Sequence, residues 1–274
     1  MHALVPAPPP PRACPAGPHA ARAEAPRTVW MAVPPYHALQ PVSDASLAAH
    51  PVRPGTVLAV PLPPGPATPD RVGGWVARLR AAVPDATWVA LAPDGGGDAV
   101  AWAQHAPSLG LRAVLVRGRR PDLALRPLLC QTNRLGDEVV GWLEGCGVPL
   151  SPNLAHMVGV IFSGAAGHAG LGPLLRARGV SEHGARERFR KKGLPLPKRW
   201  HQAARALHAA VALQRDPACK VLEVALALGY SSDSALSRQL QQAFGVRPVQ
   251  VRGTLGWEWL LHRWLRRAHP AGAS

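Results

Sequence analysis

The sequence predicts two regions of different class: a small α/β domain on a parallel sheet, then an all-α region holding two helix-turn-helix patterns. Three observations lead there. Short apolar runs alternate with amphipathic helical stretches between residues 55 and 150. From Asn153 onward only helical periodicity is present. Positive charge gathers at the end: Met1–Gly170 holds 13 basic and 10 acidic residues, Leu171–Ser274 holds 18 and 6.

Residues 1–54 contain 13 prolines and little β-branched periodicity, so the segment reads as disordered, with Met31 inside it as an alternative start. Thr56–Leu62 (TVLAVPL) then reads as a buried strand. In Asp70–Val83, Val72, Trp75, Val76, Leu79 and Val83 fall on one face of a helix. Thr87–Ala92 is a second strand, and Asp98–Ala106 a helix with Asp98 as its N-cap. Arg112–Val116 is a third strand, followed by helices at Pro121–Leu129 and Arg134–Leu143. Strands alternating with helices imply right-handed crossovers. This 55–150 region loosely resembles a response-regulator receiver or another flavodoxin-like domain. It lacks the acidic pair after the first strand and the phospho-acceptor aspartate after the third, where Pro61-Leu62-Pro63 and Arg117-Gly118 stand. A plain scaffold or dimerisation domain fits equally.

The last region, 151–274, carries the strongest pattern. In Val221–Arg252, Val221, Leu222, Val224, Ala225 and Leu228 form an apolar helix face ended by Gly229. A small residue four positions before a glycine is what a tight helix-turn-helix crossing requires. Ser231 or Ser232 can cap the next helix. There Leu236, Leu240 and Phe244 point inward, and Asp233, Ser234, Ser237, Arg238 and Gln241 outward. Gly245 and Pro248 stop it.

The run Ala225, Gly229-Tyr230-Ser231, Ser237-Arg238, Phe244-Gly245-Val246, Pro248 and Arg252 resembles the second helix-turn-helix of the AraC/XylS transcription regulators. A first unit is expected about fifty residues upstream. Leu171–Lys192 supplies it, with Leu171, Leu174 and Leu175, the turn Gly179-Val180-Ser181, and a helix containing Phe189. Trp200, Ala204, Leu207 and Val211 give the buried stripe of a linking helix, and Leu154–Ser163 an opening helix. The resemblance covers about residues 153–252. The first unit departs from the family pattern at Leu175, where a small residue is expected, and at Gly184 and Ala185, which dilute its recognition helix.

The resemblance implies two recognition helices in successive major grooves of double-stranded DNA. Base-facing residues would be His183, Arg186 and Glu187 in the first, and Asp233, Ser234, Ser237 and Arg238 in the second. Arginine can pair with guanine, acidic side chains with cytosine, and serine with either. Arg188, Arg190, Lys191, Lys192, Arg247 and Arg252 would position the duplex through phosphates. Arg238 has an alternative role in an intramolecular ion pair. RNA polymerase is a further implied partner, and a homodimer would form through the α/β domain. No cofactor is implied.

Other classes are weighed and set aside. The Gly95-Gly96-Gly97 triplet lacks a phosphate-loop pattern and is flanked by Asp94 and Asp98. His201 and His208 share a helix face without a further metal ligand. Cys130 lacks the setting of a nucleophile, and the four cysteines form no framework. The uncharged stretch Gly145–Leu175 holds seven glycines and, with Pro149 and Pro152 among them, three prolines, a poor lipid-facing helix. A cytoplasmic protein without a membrane segment is expected. The tail Trp257–Arg267 is amphipathic and basic, and either docks on its own domain or lies on a membrane. The alternative function is an interaction or scaffold protein with a degenerate helix-turn-helix module.

Overall fold

The computed structural model describes residues 27–47, 52–63, 69–93, 97–118, 120–148 and 150–268. Five strands, β1 (Thr28–Ala32), β2 (Gln40–Ser43), β3 (Val57–Pro61), β4 (Thr87–Ala92) and β5 (Val114–Val116), form one sheet in the order β2-β1-β3-β4-β5. β3, β4 and β5 are parallel, as the alternating pattern predicts; β1 runs antiparallel to both β2 and β3. β4 (TWVALA) is buried throughout and β3 (VLAVP) over its first four residues, the composition of strands covered on both faces.

The expected disorder of residues 1–54 is corrected over 27–47. That stretch folds as β1, β2 and the short helix α1 (Asp44–Leu47). Thr28-Val29-Trp30-Met31-Ala32 is a strand-forming run that the surrounding prolines obscure. Pro34 and Pro35 lie between the strands, and Pro41 stands on the edge strand, where a missing N–H is tolerated. Met31, read as a start, lies mid-strand opposite Gln40 and Leu58. Residues 1–26 and Gly95–Gly96 lie outside the described residues.

One sheet face packs on α2 (Asp70–Ala82) and α3 (Gly97–His105). Leu58, Val60, Trp88 and Ala90 meet Val72, Trp75, Val76, Leu79, Val83 and Trp102 there. The other face, with Val57, Ala59, Val89, Leu91 and Leu115, packs on α4 (Pro121–Leu129) and α5 (Leu135–Gly145), and through them reaches the helical region.

That region comprises α6 (Pro152–Gly164), α7 (Leu171–Ala177), α8 (Glu182–Lys191), α9 (Pro197–Arg215), α10 (Val221–Ala227), α11 (Asp233–Phe244), α12 (Pro248–Arg252) and α13 (Glu258–Ala268). The central α9 touches every other helix of the region. The core runs unbroken across the expected boundary near residue 150. α5 and α6 approach so closely that a Cβ on Gly136 would lie 2.4 Å from the Gly159 carbonyl oxygen. The Tyr36 hydroxyl, buried, donates to the Gly55 carbonyl (2.8 Å) and accepts from the Leu255 amide (2.7 Å), joining the first hairpin to the approach of the last helix.

Among the described residues no single helix is long and apolar enough to cross a membrane. α6 and α7 pass only as a pair bent by 114°, and Leu154, Val158, Ile161 and Phe162 of α6 are buried within the protein. The tail docks on its own domain: Trp257, Leu260, Leu261 and Trp264 are buried in the shared core.

Candidate nucleic-acid interface

The two helix-turn-helix units close their turns with the same backbone hydrogen bonds. In the first, the amides of Gly179 and Val180 donate to Arg176 and Leu175 (3.1 and 2.9 Å). In the second, those of Gly229 and Tyr230 donate to Leu226 and Ala225 (3.0 and 2.9 Å). Gly179 and Gly229 both hold left-handed φ, 66° and 71°, which a side chain would strain. The second turn is one residue longer. Ser181 caps α8 through the Gly184 amide (3.3 Å), and Ser232, rather than Ser231, caps α11 through the Ala235 amide (3.1 Å).

Counted from the turn glycines, Leu175 of the first unit corresponds to Ala225 of the second; counted from the caps, Ala185 corresponds to Leu236. All four are fully buried. Large and small residues have changed places across the crossing, which answers the departure at Leu175 by conserving volume. Ala185 is thus a packing residue rather than a dilution of α8. Further along, Phe189 matches Leu240, and both are buried.

α9 holds the units together with both apolar and polar contacts. Trp200 packs edge-on against Phe162, Phe189 and Trp264, with centroids 6.2, 5.9 and 4.7 Å away. Arg205 donates to the Leu228 carbonyl at the second turn (2.6 Å) and to the Ala169 carbonyl before α7 (3.3 Å), and stacks on the Tyr230 ring at 4.3 Å. Its guanidinium therefore satisfies end carbonyls of one unit and the entry of the other. Burial pushes the Tyr230 hydroxyl up. His201 and His208 bond to the carbonyls of His168 (3.1 Å) and Phe162 (2.6 Å). Burial holds both imidazoles below their ordinary range. No metal-binding cluster occurs among the described residues.

The predicted site residues fall on two outward stripes. On α8, His183, Arg186 and Arg190 are exposed and Glu187 half-buried. Arg186 pairs with Glu182 (3.2 Å) and Arg190 with Glu187 (2.9 Å), which holds the Glu187 carboxyl below its ordinary range. Lys191 is exposed at the helix end. On α11, Asp233, Ser234 and Arg238 are exposed and Ser237 is half-buried. Asp233 accepts from the Ser234 amide (2.7 Å). Among the described residues Arg238 has no carboxylate partner, so the intramolecular pair read as its alternative role is absent there; its guanidinium projects free. Arg247 is exposed at the start of α12.

Arg252 is corrected. It donates to the carbonyls of Pro217 (3.0 Å) and Cys219 (2.7 Å) and fastens the approach to α10, so it serves the fold rather than a phosphate. Arg205, Gln214 and Arg126 escaped sequence reasoning. Gln214 donates to Thr254 (2.6 Å) and Gly256 (2.9 Å), and Arg126 to the Gln214 carbonyl. The available signal was a polar side chain interrupting the apolar surface of α9.

Two capped helices presented from one linking helix define a DNA-binding domain of the double helix-turn-helix class. Residues 174–254 match the family described as a helix-turn-helix domain, of the AraC type. The match begins within α7 and ends after α12, leaving out α6, α13 and the sheet. No curated protein and no solved structure matches the chain.

Proposed function

We propose that the protein is a sequence-specific transcription regulator, with α8 and α11 reading successive major grooves of double-stranded DNA. The observation that carries this is the equivalence of the two turns, each closed by the same hydrogen bonds and each presenting an exposed polar stripe. α9, of 19 residues, is about 28 Å long at 1.5 Å per residue, a span suited to one turn of duplex.

His183, Arg186, Glu187, Asp233, Ser234, Ser237 and Arg238 face bases in this reading, and Arg190, Lys191 and Arg247 face phosphates. Exchange of the Arg186–Glu182 pair for a base contact replaces one exposed ion pair, itself worth little, with a bidentate bond. Leu222 and Leu226, exposed one turn apart on α10, offer an apolar contact for RNA polymerase. A second copy would dock through the α/β region.

Selection of bound sequences from a random duplex pool tests the proposal. Enrichment of a motif with two half-sites about one helical turn apart is expected. Recovery of no motif, with binding abolished by moderate salt, would leave only non-specific attraction.

A further inference from the structure

A cavity of about 400 Å³ opens between the first turns of α9, the second half of α11 and the end of α13. Arg199 and Gln202 of α9, Gln239 and Gln242 of α11 and Arg267 of α13 line it, over the buried ring of Trp264. No carboxylate is among its lining residues. Arg199, Gln202, Gln242 and Arg267 are exposed. Neither arginine makes an ion pair or a side-chain hydrogen bond among the described residues.

The walls are held in place from several sides. Gly245 ends α11 at a φ of 69°, and a Cβ there would lie 2.6 Å from Arg267 and 3.5 Å from Arg263. Arg263 donates to the Phe244 carbonyl (2.9 Å), so α13 sets cations against the negative end of α11. Arg199 adjoins Trp200, whose ring packs on Phe189 of α8 and on Trp264, and the cavity is thereby braced from α8 as well as α11. Gln242 follows Arg238 by four residues and carries the exposed stripe of α11 into the cavity. α13 lies beyond the matched residues 174–254, so Arg267 comes from a helix outside the matched domain.

We propose, on the DNA-reading role given above, that this cavity seats a backbone phosphate of the duplex whose bases α11 faces. Arg199 and Arg267 pair with its oxygens, and the amides of Gln202 and Gln242 donate beside them. Two guanidiniums without counter-ions, neighbouring amide donors and no acidic side chain suit a phosphodiester, which positions a duplex without reading its sequence. α13 is then a third element of the interface, working beside the two exposed stripes.

Binding of a fluorescent duplex of about 30 base pairs to the full chain is measured from about 50 to 300 mM salt. Arg199→Gln and Arg267→Gln should each lower the slope of log affinity against log salt by about one unit, alike on selected and random duplexes. Gln242→Glu should weaken binding several-fold on both. Arg53→Gln, which removes the same charge from the exposed surface of the α/β region, should leave the slope unchanged. All four positions are exposed, so the fold is kept, as circular dichroism checks. Unchanged slopes in both arginine variants of the cavity overturn the proposal, and so does an equal fall in Arg53→Gln. A wild-type chain that binds no duplex removes the DNA-reading role as well, whereas one that binds with slopes indifferent to the cavity removes the phosphate seat alone.

Discussion

The two helix-turn-helix units share a backbone turn yet differ in what they present. α8 carries four basic and two acidic side chains, with Arg186 and Arg190 each tied to a glutamate on the same helix. α11 carries one of each sign, and Arg238 has no ion pair among the described residues. The first helix is therefore equipped for strong attraction to a polyanion, and the second for a sparse set of directed contacts. Geometry is common to both; under the proposed function the difference in charge would divide affinity from specificity.

That contrast can be broken most sharply in the packing. Leu236→Ala should cost about 2–5 kcal/mol and Ala185→Leu about 1–3 kcal/mol. Leu175→Ala combined with Ala185→Leu should recover part of the loss, measured by urea denaturation, because it imposes the second unit's arrangement on the first. Additive costs in the double variant would show that the exchange of sizes is incidental.

Arg205→Met comes next. It leaves the Leu228 carbonyl without its donor and removes the stacking on Tyr230, at about 1–3 kcal/mol. Hydrogen exchange should rise around Gly229 more than around Gly179, and an equal rise at both would remove the asymmetry assigned to this clamp.

For DNA, Arg238→Ala should cost about 1–3 kcal/mol on the preferred duplex and relax one base position. Arg190→Ala should weaken all sequences alike and lower the salt slope by about one unit. Reversal of these two outcomes would invert the division between the helices. The smallest effects belong to the caps, where Ser181→Ala and Ser232→Ala should each cost about 1 kcal/mol of stability.

What was legible in the sequence followed periodicity. α9, α11 and the strands β3 and β4 announce themselves through repeats of buried residues, and the glycines of both turns mark the left-handed positions. β1 was hidden because composition over a long window drowned five strand-forming residues among prolines. The clamps were hidden for another reason: Arg205, Arg252 and Gln214 bond to main-chain carbonyls far away in sequence, and carbonyls leave no trace in residue identity. Arg252 shows the cost of reading charge alone, since a cation in a basic region suggests a phosphate until its carbonyl partners are seen. The exchange at Leu175 and Ala185 was half visible, as two separate departures whose compensation appears only in three dimensions.

The hydroxyl of Tyr36 bonds to an amide 219 residues further along the chain. During synthesis the opening hairpin must wait for almost the whole polypeptide before that bond can form. The helical region is thus completed together with the amino-terminal strands, and a fragment cut near residue 150 would emerge with raw apolar faces on α6 and α13 instead of a finished surface.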